Sequence, residues 1–327
     1  MVIFLNKEER KIMKRKKVSI VISLYNEEDN LDRLFQELNS VENKLLDRVD
    51  IEYICVNDGS SDSTLEKLFN LMDKYKNIKV FNLFRNFGHE VAMSAGMDNA
   101  TGDAIIFMDG DLQHPPKLIE EMVNLWLTGY DVVLTKKIGD DADKSLMYKI
   151  MSYLYYFSIN RLSDIKIPKN YPDFRLLSKK HIETLKKFDE KDRMFRGLLN
   201  FIGYSNAKVI EFKVPKRFAG ESKYNFRRSA KLVLDSILQF STKPLRVATY
   251  LGLVSVFISG IIGIMTLIEY MFFNVSRSGY ATILLVVIFM GSIQLIVLGI
   301  MGEYIGKIHM EVKNRPLYFG ELVENKS

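Results

Sequence analysis

Two kinds of apolar pattern divide the chain near Leu245. Before it, short runs rich in β-branched residues read as buried strands: Val18–Ser23, Ile51–Asn57, Ile78–Phe84, Ala104–Met108 and Asp131–Thr135. Between them, apolar residues recur at helical spacing near Asp29–Val41, Ser63–Lys74, Glu90–Asn99 and Pro116–Thr128. Strand and helix alternating in this way predict an α/β domain with a mostly parallel sheet and helices on both faces. After Leu245 the pattern changes. Thr249 to Ile268 and Ser278 to Gly302 contain no Asp, Glu, Lys or Arg, and each run is long enough to span ~30 Å of hydrocarbon as helix.

These patterns predict the domain order. A basic N-terminal segment (1–16) precedes an α/β domain (17–225), an amphipathic juxtamembrane helix (226–246), transmembrane helices at 247–273 and 280–302, and a tail (303–327). The amphipathic segment sets Leu232, Val233, Ile237 and Phe240 near one face and Arg227, Arg228 and Lys231 near another, which suits a helix lying in the membrane interface. The loop between the two apolar runs is short, so they form an antiparallel hairpin. Glu269 and Gln294 lie within it, either as helix–helix and interfacial groups or as contacts for a polar lipid head.

Charge orients the hairpin. The formal net charge is +6, and Lys223, Arg227, Arg228, Lys231, Lys243 and Arg246 precede the first run while Lys307, Lys313 and Arg315 follow the second. Only Arg277 sits in the connecting loop, so both ends are predicted to be cytoplasmic. No secretory signal opens the chain, and a lone cysteine, Cys55, excludes an internal disulfide framework. The positive excess lies beside the membrane with no aromatic stacking platform, so no nucleic-acid partner is expected.

Ligands of parallel α/β sheets bind beyond the carboxyl ends of the strands. At three such ends stand Ser23-Leu24-Tyr25-Asn26-Glu27-Glu28, Asn57-Asp58-Gly59-Ser60-Ser61-Asp62 and Asp109-Gly110-Asp111-Leu112-Gln113-His114-Pro115. Taken singly, Asp58-Gly59-Ser60 is an ordinary turn and Asp109-x-Asp111 a chance pairing. Together on one rim, the carboxylates call for a cation and a polar ligand such as a nucleotide. No Walker or dinucleotide-type glycine loop is present, so P-loop and hydride-transfer enzymes are unsupported. His89, His114, His181 and His309 lack metal-ligand spacing and are assigned no catalytic role; His114 either touches a diphosphate or braces its loop.

In these motifs, together with Arg85-Asn86-Phe87-Gly88, Ala95-Gly96-Met97-Asp98, Asp173-Phe174-Arg175-Leu176 and Arg217 to Tyr224, the chain resembles a family 2 glycosyltransferase. The resemblance covers about residues 17 to 310 and is to the polyprenyl-phosphate branch. It implies the GT-A nucleotide-diphospho-sugar fold, with Tyr25, Asn26, Glu27 and Asp58 lining the base and ribose pocket. It further implies that Asp109, Asp111 and Gln113 hold Mg²⁺ or Mn²⁺ against the donor diphosphate. Asp173 matches the general base, or steers the nucleophile or braces Arg175; Arg217 and Lys223 match positive charge around the phosphates.

The implied reaction is an inverting, metal-dependent transfer of one hexose, from UDP-glucose or UDP-N-acetylglucosamine, to undecaprenyl or another polyprenyl phosphate. The implied setting is a bacterial cytoplasmic membrane, with the catalytic domain facing the cytoplasm. The branch also allows a homotetramer, and a lipid-linked sugar for the cell envelope needs a separate flippase and a downstream glycosyltransferase. Two departures stand out: Ser23 and Leu24 replace the usual Pro-x before Tyr25, and Asn57 stands where an acid is common. A processive polysaccharide synthase of the same fold is the competing enzyme, but its Gln-x-x-Arg-Trp motif is absent, since the only tryptophan is Trp126. A catalytically silent nucleotide-sugar-sensing scaffold is the other alternative, and intact Asp109, Asp111 and Asp173 argue against it.

Overall fold

The computed structural model describes residues 15–139, 169–188, 190, 195–204, 206–215, 241–273 and 279–324. It divides into an α/β unit, which includes the C-terminal residues from Pro316, and a helical unit that contains Tyr224–Arg315.

In the α/β unit the five expected strands form at β1 (Lys16–Leu24), β2 (Val49–Asn57), β3 (Ile78–Leu83), β4 (Ala104–Asp109) and β5 (Val132–Ile138). The four expected helices are α1 (Leu31–Leu45), α2 (Thr64–Lys74), α3 (His89–Asn99) and α4 (Leu118–Leu127). Strand β6 (Arg175–Ser178), helices α5 (Lys179–Leu185) and α6 (Phe195–Ile202), and strand β7 (Ala207–Lys213) follow. With β8 (Gly320–Glu324) these strands form one eight-stranded sheet, in the order β7-β5-β6-β4-β1-β2-β3-β8. Strands β3, β2, β1 and β4 are parallel, as is the β5–β7 pair, whereas β6 runs antiparallel to β4 and β5.

The central strands are buried on both faces, which explains their near-continuous apolar sequences. Ile20 and Ile22 of β1 pack with Leu34 and Phe35 of α1, Leu68 of α2 and Met122 of α4. Val21, between them, points the other way and packs with Ala92 and Ala95 of α3 and Leu198 of α6. Helix α3 lies so close to the sheet that a Cβ added at Gly96 would stand 2.2 Å from Val21 Cγ1. Only glycine lets this helix, and the residue that opens it, sit where they do.

The eighth strand, β8 (Gly320–Glu324), lies in the stretch assigned from sequence to a tail. It pairs antiparallel with β3, Phe81 opposite Leu322, and covers what would otherwise be an open edge. Tyr318, just before it, packs edge-on against Phe81 and donates a 3.0 Å hydrogen bond to Asp98 of α3.

The helical unit contains α7 (Lys243–Phe273) and α8 (Tyr280–Val312), both long and apolar enough to cross a membrane. Helix α8 runs about three turns past Gly302 because Glu303, Lys307 and His309 end the apolar run without ending the backbone hydrogen bonding. Phe257, Phe272 and Leu295 are exposed along these helices, as is Gln294. The basic N-terminal segment, most of the amphipathic juxtamembrane stretch, Arg217 and Lys223 lie outside the described residues.

Candidate active site

Because β1, β2, β3 and β4 are parallel, the loops leaving their carboxyl ends share one rim. The first two are latched together. Asn26, held at φ 55°, accepts the Ser61 N–H at 2.8 Å and donates its own N–H to Ser60 Oγ at 3.0 Å. The Glu27 N–H donates to Thr64 Oγ1 at 2.9 Å, and Glu28 accepts the Ser63 N–H at 2.9 Å. The Glu27 carboxylate also takes the Asn30 side-chain amide. Asn26 and Glu27, expected in the nucleotide pocket, thus stand at the rim but use side-chain oxygens to hold loops. Tyr25 is 41% exposed beside them.

Asp58 is buried, and its two oxygens accept the Phe87 N–H at 2.7 Å and the Gly88 N–H at 3.0 Å. Burial raises its carboxyl above the usual range, against the lowering effect of those N–H groups and of His89. The adjoining Gly59, at φ 64°, is pressed on the Arg85–Asn86 backbone, where a Cβ would come within 2.3 Å of a carbonyl carbon. Asp58 therefore clamps the Arg85–Gly88 loop, and so fixes the start of α3.

Asp109 ends β4. Its N–H donates to His114 Nδ1 at 3.0 Å, and Asp111 Oδ1 accepts the Gln113 N–H at 3.0 Å, closing a tight loop in which Leu112 adopts φ 60°. His114 is buried and stacked on Phe174, ring centroids 5.1 Å apart. Burial holds its imidazole below the usual value, and an Nδ1 that accepts a backbone N–H is unprotonated. Of the two roles open to His114, the structure gives it the bracing one. Burial would raise the Asp109 carboxyl, but the imidazoles of His114 and His89 and the Lys137 ammonium outweigh this and hold it low.

Asp173 is brought to the same place by β6, whose Arg175 pairs opposite Phe107 of β4. Both side chains are buried, and the Arg175 guanidinium bonds Asp173 Oδ1 and the Pro172 carbonyl. The other oxygen, Oδ2, lies 3.8 Å from His89 Nε2. His89 also stands 3.6 Å from Asp109 Oδ1 and 2.9 Å from Ser23 Oγ. Burial would lower its imidazole, but Asp109 and then Asp173 push it up to about 10.

Asp58, Asp109, Asp111 and Asp173 are thus gathered on one rim. Sequence reasoning set Ser23 in the first rim motif without giving it a partner, and passed over His89 because it searched histidines for metal-ligand spacing. The available signal was position: a residue opening the helix after β3 must lie at the carboxyl edge of a parallel sheet.

Among the described residues no three His, Cys, Asp or Glu side chains form a ready metal cage. The donor set present is two carboxylates on one short loop, which suits an ion whose remaining ligands are phosphate oxygens and water.

The glycosyl transferase family 2 model matches residues 19–186, and the GtrB C-terminal hairpin model matches residues 243–308. An uncharacterized glycosyltransferase of Synechocystis is 41% identical over 301 residues, covering 92% of this chain and 93% of that one. The SfII prophage-derived bactoprenol glucosyl transferase of Shigella flexneri is 38% identical over 309 residues, covering 92% and 96%. A prophage bactoprenol glucosyl transferase homolog of Escherichia coli is 36% identical over 303 residues, covering 92% and 97%.

Proposed function

The chain belongs to glycosyl transferase family 2, and from that premise we propose that it moves one hexose from a nucleoside diphosphate donor to the phosphate of a polyprenyl lipid. The observation that carries the reading is the rim itself: Asp58, Asp109, Asp111 and Asp173 meet at the carboxyl ends of the sheet in a chain that goes on to two membrane-length apolar helices. The names of the Shigella and Escherichia relatives support glucose as the sugar and bactoprenol as the lipid. UDP is the nucleotide the family resemblance favours.

In this reading an oxygen of the lipid phosphate attacks the anomeric carbon from the face opposite the diphosphate. The bond from that carbon to the diphosphate oxygen breaks, the nucleoside diphosphate leaves, and the configuration inverts. A divalent cation, Mg²⁺ or Mn²⁺, held by Asp109 and Asp111 with Gln113 beside them, would supply the charge that offsets the leaving diphosphate. Asp58 and the Asn26–Glu28 latch hold the loops that flank the donor, with Tyr25 against the base. The acceptor phosphate is already an anion at neutral pH, so Asp173 need not remove a proton. Fixed by Arg175, it orients the incoming group instead. Arg217 and Lys223 would add positive charge for the phosphates.

Chain connectivity supports the orientation expected from charge. Strand β8 follows the second apolar helix yet belongs to the same sheet as β1, so a chain that crosses twice starts and ends on the domain's side. With the positive-inside pattern this is the cytoplasmic side of the membrane. The product would then need a flippase and a second transferase to reach an envelope glycan.

The test uses purified protein in detergent with Mn²⁺, undecaprenyl phosphate and a panel of radiolabelled nucleotide sugars. Labelled, mild-acid-labile lipid from one donor, lost in Asp111→Asn, supports the reading and names the sugar. Nucleotide-sugar binding without labelled lipid from any donor would favour a sensing scaffold.

A further inference from the structure

The transfer proposed above needs hydrogen-bond donors where phosphate oxygens gather, yet the side chains that converge at this rim are mostly carboxylates. Beside the Lys137 ammonium and the Arg175 guanidinium, His89 brings a ring N–H to it. Its backbone opens α3 directly after Phe87 and Gly88, whose N–H groups Asp58 holds. Its ring stands between residues from three other strand ends or loops. Nδ1 lies 2.9 Å from Ser23 Oγ, and Nε2 lies 3.6 Å from Asp109 Oδ1 and 3.8 Å from Asp173 Oδ2.

These neighbours decide where the ring hydrogen sits. The Ser23 hydroxyl has one hydrogen and two acceptors in reach, His89 Nδ1 and, at 3.4 Å, Asp109 Oδ1. If it points to Nδ1, the ring's own hydrogen is on Nε2. If it points to Asp109, Nδ1 donates to Ser23, and a bare Nε2 would face two carboxylate oxygens lone pair to lone pair. The ring then carries hydrogens on both nitrogens. In either arrangement Nε2 is a donor. Its distances to both carboxylates exceed a direct hydrogen bond. The N–H therefore points into the space between them, held loosely by Asp173 at 3.8 Å and by no short hydrogen bond, and the side chain is 41% exposed, within reach of a ligand.

We infer that His89 Nε2–H donates a hydrogen bond to a phosphate oxygen at the reacting centre, on the donor diphosphate or on the acceptor phosphate. The inference rests on the transferase reading above. With Asp109 turned to a cation and Asp173 tied to Arg175, this N–H offsets the repulsion that two carboxylates would otherwise exert on an incoming anion. A donor fixed in place before the reaction acts most strongly on charge that shifts during it.

The test compares wild type, His89→Phe and His89→Gln, the last keeping an amide N–H near the Nε2 position. Thermal unfolding is measured first, then UDP binding with Mn²⁺ by calorimetry in the absence of lipid, and then transfer with undecaprenyl phosphate varied. His89→Phe is expected to keep the thermal midpoint and lose about 100-fold in transfer, with Gln recovering part of the loss. Weakened UDP binding assigns the contact to the donor; unchanged UDP binding with a raised lipid KM assigns it to the acceptor. A loss confined to kcat assigns it to the transition state. Transfer and binding within twofold of wild type in His89→Phe would overturn the inference. So would equal losses in Phe and Gln accompanied by a lowered thermal midpoint, because a packing role predicts that pattern. Wild type that labels no lipid would instead sink the transferase reading itself.

Discussion

A single carboxylate, Glu52, and a group of carboxylates lie at opposite ends of the parallel strands of the sheet, and their surroundings differ in kind. At the amino end, buried Glu52 of β2 is enclosed by fixed donors: the Ser19 hydroxyl at 2.5 Å, the Thr101 N–H at 2.7 Å and hydroxyl at 2.9 Å, and Lys17 Nζ at 2.6 Å. At the carboxyl end, half-buried Asp109 meets a hydroxyl at 3.4 Å and two imidazoles, those of His89 and His114, at 3.6 Å each. A carboxylate saturated by its own protein stabilises the fold and has nothing to offer a ligand. One left with long, imperfect partners in an accessible place is suited to bind. The same residue type in the same sheet thus serves structure at one end and chemistry at the other.

Substitutions should separate the two ends. The largest effect is expected for Asp111→Asn, which should lower sugar transfer by about 1,000-fold through loss of charge at the diphosphate, with the thermal midpoint unchanged. Arg175→Met should break the separation, since it strands the buried Asp173 carboxylate. A loss of about 3–5 kcal/mol in denaturant unfolding is expected, together with loss of transfer.

At the other end, Glu52→Gln should cost about 1–3 kcal/mol of stability at neutral pH and leave kcat unchanged. Its pH dependence sharpens the comparison. Burial alone would raise the Glu52 carboxyl, but Lys17, Ser19 and Thr101 bring it below the usual value. A group depressed in the folded state stabilises fully above its unfolded pKa, about 4.3, and loses that contribution as pH falls through the folded value. The stability gap between wild type and Glu52→Gln should therefore be constant above about pH 5 and close in more acidic solution. The smallest effect is expected for Tyr318→Phe, which removes the hydrogen bond to Asp98 for about 1 kcal/mol and tests the C-terminal strand as part of the domain.

The strands that pattern alone revealed are the ones buried on both faces, where apolar, β-branched sequence is obligatory. Strands β6, β7 and β8 escaped notice: β6, though buried, is only four residues long and gives too short a run, and β7 and β8 are edge strands with exposed, mixed residues such as Lys208 and Glu321. The pairing of β8 with β3 joins residues about 240 positions apart, and nothing local in Gly320–Glu324 announces it. The second apolar helix was cut short at Gly302 because hydropathy marks where lipid would end, not where backbone hydrogen bonding does. The site was legible in the same uneven way. Asp58, Asp109 and Asp111 stood out from their place after apolar runs. The use of Asp58 to clamp Phe87 and Gly88 could not be seen, because it depends on a loop 29 residues away. His89 was passed over for want of a spacing motif, although the parallel sheet alone places it on the rim.

The account's central claim is that the carboxyl-end carboxylates are kept for a cation-bound diphosphate while the amino-end carboxylate is closed. Calorimetric titration of UDP into wild type, Asp111→Asn and Glu52→Gln, with and without Mn²⁺, tests it directly. The account predicts that UDP binds wild type and Glu52→Gln alike, only with the metal present, and binds Asp111→Asn at least tenfold more weakly. UDP binding that ignores the metal, or that survives intact in Asp111→Asn, would contradict it.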